Sequence, residues 1–346
     1  MASNVHLVGS VGLDSVDEVY QACGSLFGPS LKRVPDGEPG GRRLWISWQL
    51  PLLRASPYLQ AVTSEHQGDT VPFYPLKLAP GVRPEDVRFG ELGYAREARI
   101  SYIDFCAARE KGILPRSARF QVSLPTPLAV IGPFILPEAH RAVLPAYEAA
   151  MLREVDAISA AIPKRDLAIQ WDVCIEMVMW DGRVPSIPGF PGMEQVFRGT
   201  FARLAERVPS DVELGFHLCY GDLDAQHFVQ PVDATKMVEL ANLIAESAKR
   251  PIAWMHMPVP VDRSDDAFYA PLRNLKLSAG TELYLGLVHD EDGVDGTKKR
   301  MAAAHKYVAS FGIATECGIA RARTPDRVRQ ILKVQSEAAK ADAATG

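Results

Sequence analysis

Val212-Glu-Leu-Gly-Phe-His-Leu-Cys-Tyr-Gly221 is an apolar stretch that ends in two side chains able to bind a metal ion. Its composition predicts a buried strand, along which alternate side chains point to the same face. His217 and Cys219 therefore point the same way where this strand ends. A third soft ligand, Cys317, follows another apolar segment much later in the chain. Three such donors indicate a catalytic zinc site with one open position; the alternative is a hydrogen-bonded histidine beside a buried thiol.

Further apolar runs resemble this one, and together they define eight candidate strands. The candidates span residues 5–8, 31–34, 119–123, 167–171, 212–216, 252–255, 282–288 and 313–315. Apolar residues at three- and four-residue intervals predict helices between most of them, at 138–162, 193–208, 234–249, 296–311 and 325–338. This alternation favours an α/β fold, a single-domain (β/α)8 TIM barrel over residues 1–338, with a doubly wound sheet as the alternative. We expect residues 339–346 to form a frayed tail.

Two irregular segments interrupt the alternation. Residues 45–80 are rich in proline and aromatic side chains, and they precede a helix-like segment at 84–111. Residues 181–192 are rich in proline and glycine, and they follow the fourth candidate strand. We expect insertions here at the mouth of the barrel, where the loops of this fold carry active sites.

Composition and charge exclude several classes of partner. The chain of 346 residues is 47% hydrophobic and 23% charged, which is typical of a globular protein with a large core. Its net charge of −4 and its lack of lysine and arginine runs predict no nucleic-acid partner and no membrane partner. Because it shows neither a signal peptide nor a long apolar stretch, we expect a cytoplasmic protein. The five cysteines form no disulfide framework and are expected to be reduced.

Polar side chains follow nearly every candidate strand, at the end where a barrel carries its active site. They are Ser10, Asp36 with Glu38, Ser123, Asp172 with Glu176, His217 with Cys219, His256, His289 with Asp290, and Cys317. Serine and aspartate are also common turn residues, so the histidines and cysteines carry more of the argument. His256 is predicted to be either a fourth metal ligand or a proton donor.

Four short segments resemble the catalytic barrel of cobalamin-independent methionine synthase, in the superfamily that also contains uroporphyrinogen decarboxylase. They are Val8-Gly-Ser10, Ile169-Gln-Trp-Asp172, His217-Leu-Cys-Tyr220 and Glu316-Cys-Gly-Ile319. In that family a zinc ion held by a His, a Cys, a Glu and a distant Cys activates a thiol, which accepts a methyl group from a folate. The resemblance implies zinc on His217, Cys219 and Cys317, with His256 at the position of the glutamate.

The chain departs from the family pattern after its fourth strand. The family's Asp-Glu-Pro is replaced by Asp172-Val-Cys174. The resemblance implies that Asp172 contacts the substrate, as the family's aspartate contacts the amino group of homocysteine, and we expect Asp172 to orient the substrate and move protons. The neighbouring carboxylate is missing, and Glu176 is a candidate to replace it. Folate binding is therefore left open.

Several further residues are candidates for substrate binding or proton transfer. The glycine-rich segment 34–45 loosely resembles a loop of the decarboxylase branch that holds substrate carboxylates. Within it, Arg42 or Arg43 is predicted to clamp an anionic group, Asp36 to move protons, and Glu38 to contact the substrate. Ser10 is a further candidate contact. His289, oriented by Asp290, is a candidate general acid or base, and Trp171 and Tyr220 are candidates to stack on an aromatic substrate.

Three functional hypotheses follow. The first two describe enzymes that act on a small-molecule substrate. The first is a zinc-dependent enzyme that transfers a methyl or other one-carbon group to or from a metal-activated thiol or hydroxyl. The second is a zinc-dependent carbon–carbon lyase that decarboxylates an aromatic substrate or removes a one-carbon fragment such as formaldehyde. The third is a non-catalytic zinc-binding barrel. A homodimer is compatible with each of them.

Overall fold

A computed structural model describes residues 4–62, 74–222 and 224–343 of this chain, and it is organised around a parallel sheet of seven strands. Across the sheet the strands are β1 (Arg33–Pro35), β4 (Arg119–Pro125), β5 (Leu167–Val173), β6 (Glu213–Leu218), β7 (Trp254–Pro258), β8 (Glu282–Val288) and β9 (Gly312–Thr315). The two intervening strands, β2 (Leu59–Ala61) and β3 (Leu76–Leu78), form a separate antiparallel pair. The large sheet curls into a half-barrel, which confirms the α/β prediction at this coarser level.

Helices connect the strands, as parallel neighbours require. They are α1 (Val16–Phe27), α2 (Leu50–Arg54), α3 (Tyr94–Glu110), α4 (Pro127–Phe134), α5 (Pro137–Ala161), α6 (Ile175–Asp181), α7 (Met193–Arg207), α8 (Thr235–Ser247), α9 (Asp266–Tyr269), α10 (Gly293–His305) and α11 (Pro325–Ala343). Because helices cover the sheet, every residue of β5 is buried, and this explains its nearly continuous apolar sequence. Within the described residues, no helix combines the length and apolar character that crossing a membrane requires.

The predicted first strand, at residues 5–8, lies between the two edges of the sheet. Val5 forms isolated parallel bridges to Leu31, just before β1, and to Ile313 in β9. The backbone N–H of His6 also donates to the carbonyl oxygen of Ile313, at 3.0 Å. These contacts involve single residues, so the segment is not a regular strand. Seven of the predicted strands correspond to strands of the sheet.

Two predicted helices have different limits in the structure. The helix-like segment at 84–111 is a short 3-10 turn, Pro84–Asp86, followed by α3, which begins only at Tyr94. Gly93 separates them because its φ of 97° is incompatible with a helix. The predicted tail is helical as far as Ala343, since its alanine and lysine residues favour helix and Ala339 is buried. Residues 344–346, and residues 63–73 of the predicted insertion, lie outside the described parts.

The strand register places three polar side chains in a row. Asp172 of β5 is paired with His217 of β6, which in turn is paired with His256 of β7. Directly below, Gly215 is paired with Trp254, and a Cβ added at Gly215 would overlap the tryptophan ring. The absence of a side chain at this position therefore permits the close packing on which the row of polar residues rests.

Candidate metal centre and its two cavities

His217, Cys219 and Cys317 converge at the C-terminal edge of the sheet. All three are buried, and their ligand atoms lie within 4.8 Å of one another. The two Sγ atoms are 3.5 Å apart, and Sγ of Cys317 is 3.7 Å from Nε2 of His217. Tetrahedral zinc with its usual bond lengths would separate such donors by about 3.4 to 3.8 Å. The donor types therefore suit a zinc ion, and the two separations that involve Sγ of Cys317 match its geometry.

Backbone contacts hold the two cysteines in place. The N–H of Gly221 donates to Sγ of Cys219 at 3.3 Å, and Gly221 can make this tight turn because its φ is 92°. The hydroxyl of Thr315, at the end of β9, donates to the carbonyl oxygen of Cys317 at 2.7 Å. Both sulfur atoms are thus fixed by turns that immediately follow strands.

His256 lies beside this cluster, and both of its ring nitrogens are engaged with protein groups. Nε2 is 3.0 Å from the carbonyl oxygen of Thr315, and Nδ1 is 2.7 Å from Nδ1 of His217. A carbonyl oxygen only accepts, so Nε2 of His256 carries the proton and Nδ1 accepts from His217. His217 consequently keeps an unprotonated Nε2 that faces the cysteines. The structure thus places His256 behind His217, where it orients the ligand, rather than among the three ligands.

The surroundings of the cluster favour neutral histidines and protonated thiols in the protein alone. Burial lowers the pKa of His256 to about 3 and the pKa of His217 well below its usual range. The pKa of the Cys219 thiol is raised well above its usual value, first by Cys174 and then by burial. The pKa of the Cys317 thiol is raised first by its hydrogen bond with Cys219. A divalent cation would reverse this penalty by favouring both thiolates.

A cavity opens to solvent beside the metal-ligand cluster. His217, Cys219 and Cys317 form part of its wall. The remaining lining residues are Val8, Gly9, Ser10, Glu38, Trp45, Asp172, Gly221, Gly318 and Arg321. A Cβ added at Gly318 would overlap the hydroxyl of Ser10, so this glycine allows Ser10 to pack directly against the Cys317 loop. We call this space the metal-side cavity.

Two carboxyl groups in the metal-side cavity hold protons more tightly than usual. Burial raises the pKa of Asp172 to about 7. Burial, followed by repulsion from Asp172, raises the pKa of Glu38 to about 8. Asp172 is fixed by Gln170, whose Nε2 donates to Oδ1 at 2.8 Å, and by Trp45, whose Nε1 donates to Oδ2 at 3.3 Å. Groups with such pKa values are suited to exchange protons near neutral pH.

A second cavity adjoins the first and is richer in aromatic side chains. Its lining residues are Pro35, Asp36, Glu38, Arg42, Trp45, Trp48, Tyr94, Glu97, Ala98, Phe120, Gln121, Val122, Ser123 and Pro125. Trp48 and Tyr94 pack edge to face, with ring centroids 4.8 Å apart. We call this space the aromatic cavity, and it could stack on a flat substrate.

Glu38 and Trp45 belong to both cavities. Both have a positive φ, of 55° and 56°, in a region that non-glycine residues rarely occupy. Such a backbone costs on the order of 1–3 kcal/mol and tends to occur at functional sites. The strain directs the indole N–H of Trp45 to Asp172 and places the Glu38 carboxyl between the two spaces.

Two other predicted residues of the early loop, Asp36 and Arg42, line the aromatic cavity but are paired with one another. Oδ2 of Asp36 accepts from Nη2 of Arg42 and from the hydroxyl of Ser101, both at 2.7 Å. Arg43 points elsewhere and donates to the carbonyl oxygens of Ala320 and Arg323. Asp36 and Arg42 thus hold the loop in place, and the free carboxyl in this region is that of Glu38.

Five further predicted residues lie outside both cavities. Trp171 and Tyr220 are fully buried in the main core, the tryptophan because it faces away from Gln170 and Asp172 on β5. Nε2 of His289 donates to the carbonyl oxygen of Val259, at 2.8 Å, and its expected partner Asp290 is paired with Arg327. Glu176 is buried in α6, away from the cavity walls. The structure therefore does not bring these side chains to the site.

The structure adds residues that the strand-end argument missed. Arg321 lines the metal-side cavity, with Nη2 3.8 Å from Sγ of Cys317. Gln170 orients Asp172 from two residues earlier on the same strand. The signal for Arg321 was its position just after Cys317 in the same loop. The signal for Gln170 was a polar residue inside an otherwise apolar strand.

Fold and site together define an α/β half-barrel protein with a candidate metal centre at the C-terminal edge of its sheet. No protein-family model and no curated protein matches this chain. Solved structures do match it. A B12-independent methionine synthase from Shewanella sp. W3-18-1, solved with selenomethionine, matches with a TM-score of 0.61 and 13% identity. The match covers 98% of this chain and 99% of that one.

A second match is a candidate vitamin-B12 independent methionine synthase from Listeria monocytogenes. It has a TM-score of 0.56 and 14% identity, and it covers 96% of this chain and 97% of that one. The structural neighbours are thus methionine synthase-like barrels, and the predicted resemblance is confirmed at the level of the fold. At this identity the comparison says nothing about the reaction.

Proposed function

We propose that this protein is a zinc-dependent transferase that moves a methyl or other one-carbon group to or from a thiol or hydroxyl. The observation that carries the proposal is the pair of adjoining cavities. The metal-side cavity has the His217, Cys219 and Cys317 cluster in its wall, and the aromatic cavity shares Glu38 and Trp45 with it. This arrangement suits two substrates that react where the cavities meet.

His217, Cys219 and Cys317 would hold the zinc ion. Zinc supplies one chemical effect here, which is to lower the pKa of an acceptor thiol or hydroxyl so that it is a nucleophile at neutral pH. The cluster contains three ligands from the described residues, and catalytic zinc sites keep such an open fourth position. An open position argues against the non-catalytic alternative, which requires a closed site.

Residues of this chain supply the proton and the orientation that the transfer step requires. The acceptor thiol or hydroxyl releases its proton to solvent, and the resulting anion forms a bond to the one-carbon group as the bond between that carbon and the donor atom breaks. The electron pair of the broken bond remains on the donor atom, which then takes a proton from Glu38. Asp172, held by Gln170 and Trp45, orients the acceptor on the opposite wall. The raised pKa of Glu38 makes a proton available for this step near neutral pH.

We also propose that the sheet closes into an eight-stranded barrel. Support comes from the segment at residues 5–8, whose single-residue bridges reach Leu31 on one side and Ile313 on the other. With this segment as the eighth member, the half-barrel of the described strands would be complete. Ser10 would then lie at the C-terminal end of that member, as the other cavity residues do on theirs.

A carbon–carbon lyase is the second candidate, and the protonated carboxyl groups beside an aromatic cavity favour it. In this reaction the hydroxyl of an aromatic substrate loses its proton, its C–C bond breaks, and a one-carbon carbonyl compound leaves. The electron pair stays on the aromatic fragment, which is protonated by Glu38. No second substrate is required, and this distinguishes the two candidates.

Product analysis by mass spectrometry separates these candidates. Zinc-loaded protein is incubated with 2-mercaptoethanol and either 5-methyltetrahydrofolate or a methoxylated aromatic acid as the donor. The transferase proposal predicts an S-methylated thiol that depends on Cys219 and is reduced in Glu38→Gln. Release of formaldehyde from a hydroxymethyl aromatic compound without any thiol would support the lyase instead. Absence of both products, with zinc bound and each class of donor supplied, would contradict both.

A further inference from the structure

The aromatic cavity has four aromatic side chains in its wall, those of Trp45, Trp48, Tyr94 and Phe120. Tyr94 is 7% exposed and Phe120 is 1% exposed, so this part of the wall is withdrawn from bulk water. The negative face of an aromatic ring attracts a cation, and the attraction strengthens where water is excluded. Quaternary ammonium ions are the ligands that such aromatic cages typically bind. The wall therefore suits a methylated cation.

Acidic side chains outnumber basic ones in the same wall. Asp36, Glu38 and Glu97 line the cavity, and within the described parts of the chain Arg42 is the only basic residue that does so. Nη2 of Arg42 is 2.7 Å from Oδ2 of Asp36, and its Nε is 3.5 Å from Oε2 of Glu97. Arg96 also contacts Glu97, but it is exposed and does not line the cavity. The one basic group of the wall is thus already paired, which disfavours an anionic ligand.

A buried acceptor without a partner adds to this preference. Gln121 is 1% exposed and lines the aromatic cavity. Its Nε2 donates to the carbonyl oxygens of Leu7 and Val8, at 3.0 and 3.2 Å, and these contacts fix the orientation of the amide. Its Oε1 is buried and has no hydrogen-bond partner among the described residues. Because a buried acceptor that stays unpaired is costly, this oxygen favours a ligand that brings positive charge or polarised C–H groups.

We propose that the one-carbon donor is a quaternary ammonium ion whose N-methyl groups occupy the aromatic cavity. The inference rests on the proposed function for the transfer at the metal and adds the chemical class of the donor. The acceptor anion bonds to a methyl carbon as the C–N bond breaks, and the electron pair stays on nitrogen. The resulting neutral amine then takes the proton of Glu38. Because the leaving group is a neutral amine, no negative charge develops on it beside Asp36 and Glu97.

Three probes of matched shape test the charge preference. Choline is cationic, 3,3-dimethylbutan-1-ol is its neutral carbon analogue, and 3,3-dimethylbutanoate is anionic. Isothermal titration of the wild type should show that choline binds about tenfold or more tightly than the neutral alcohol, and that the anion binds most weakly. The preference should be the same with and without zinc, because the metal-ligand cluster lies in the wall of the other cavity.

Variants of two wall residues separate the cavity from general effects. Trp48→Leu removes an aromatic ring and should lose most of the preference for choline, whereas Trp48→Phe should keep part of it. Glu97→Gln removes a negative charge and should lower the preference several-fold. Glu91→Gln makes the same change of charge at an exposed residue that does not line the cavity, so this matched control should behave as the wild type. If Trp48→Leu does not fold, the wild-type affinities, Trp48→Phe and Glu97→Gln still decide the question.

Mass spectrometry of the reaction products tests the role as donor. With zinc bound and 2-mercaptoethanol as the acceptor, choline should yield S-methylated thiol and dimethylaminoethanol in equal amounts. It should yield more S-methylated thiol than 5-methyltetrahydrofolate or a methoxylated aromatic acid, which are the other two classes of donor.

Three results would overturn the inference. The first is equal binding of choline and its neutral analogue, and the second is a preference that persists undiminished in folded Trp48→Leu and Glu97→Gln. The third is S-methylated thiol that forms from the other two classes of donor but not from choline. Failure of the proposed function has a different signature, namely protein that takes up no zinc. A preference for choline in such protein would contradict the role as donor and leave only the cation site standing.

Discussion

Nδ1 of His217 lies 2.7 Å from Nδ1 of His256, and this contact determines which nitrogen of His217 faces the two cysteines. The backbone carbonyl of Thr315 fixes the proton on Nε2 of His256, so the proton between the rings belongs to His217. The free lone pair of His217 is then on Nε2, 3.7 Å from Sγ of Cys317. A second histidine therefore prepares the first one to bind a metal.

Substitution of His256 should weaken metal binding without removing a ligand. His256→Leu cannot accept from His217, so the ring of His217 loses its fixed tautomer and orientation. Loss of such an outer partner typically lowers metal affinity by about 10- to 100-fold. Competition with a chromogenic zinc chelator, at a series of chelator concentrations, measures this affinity.

His256→Gln is the matched control for that experiment. A glutamine amide can donate to Thr315 and accept from His217, so it can reproduce both contacts. We expect its zinc affinity to stay within a few-fold of the wild type. Equal loss of affinity in both variants would instead indicate that His256 is itself a ligand, as one of the sequence-based alternatives holds.

Glu38 should make the protein less stable as the pH rises. Its pKa is near 4.5 when it is exposed in the unfolded chain and about 8 in the folded protein, because burial disfavours the carboxylate. Between these values the folded state binds more protons than the unfolded state, so the free energy of unfolding falls with increasing pH. Glu38→Gln cannot ionise and avoids this loss. Between about pH 5 and pH 8, the free energy of unfolding of the variant should therefore rise relative to that of the wild type by about 1 kcal/mol or more.

Urea denaturation of both proteins at several pH values measures this difference. The prediction concerns the slope of this difference with pH, since only below about pH 4.5 is position 38 neutral in the folded and the unfolded states of both proteins. A constant difference across the range would contradict a raised pKa for Glu38. The same variant should lose transfer activity, because its amide cannot supply the proton.

Gly215→Ala should destabilise the fold beneath the metal centre. A Cβ here would overlap the Trp254 ring, which is itself held by a hydrogen bond from its Nε1 to Oε1 of Gln170 at 3.1 Å. Overpacking of this kind typically costs about 1–3 kcal/mol. Chemical denaturation of the purified variant measures this loss of stability. The affinity for metal should fall as well, because β6 carries His217.

Gly199→Ala is the control for the glycine experiment. Gly199 lies in α7, where an added Cβ would meet only the end of the flexible Arg203 side chain. Alanine is the better helix former by about 1 kcal/mol, so this variant should be as stable as the wild type or more so. Equal destabilisation at both glycines would show that the packing against Trp254 is not the cause.

The ligand cluster could be predicted from sequence because two of its residues lie in one short segment, whose apolar pattern indicates where they point. An apolar run ending in His217 and Cys219 defines a strand and the side of it on which both residues lie. The parallel order of the strands then brings Cys317 to the same edge of the sheet. The same reasoning placed Asp172 and Glu38 near the site, since both follow candidate strands.

The roles of other residues depend on contacts that no single segment contains. His256 has the composition of a ligand, but the carbonyl of Thr315 and the ring of His217 occupy both of its nitrogens. Trp171 and Asp172 are neighbours in sequence and lie on opposite faces of β5, so only the aspartate reaches the cavity. Asp36 was expected to move protons, yet Arg42 holds it in an ion pair.

Metal content per chain is the most direct test of the central claim, that His217, Cys219 and Cys317 form a zinc site. Wild type, Cys219→Ser, Cys317→Ser and the control Cys106→Ser are purified in parallel, supplied with zinc, dialysed, and measured by elemental analysis. Cys106 lies in α3, apart from the cluster. The wild type and the control should each retain about one zinc per chain, and the other two variants almost none. A wild type that retains no zinc, or a Cys219→Ser variant that retains it fully, would contradict the account.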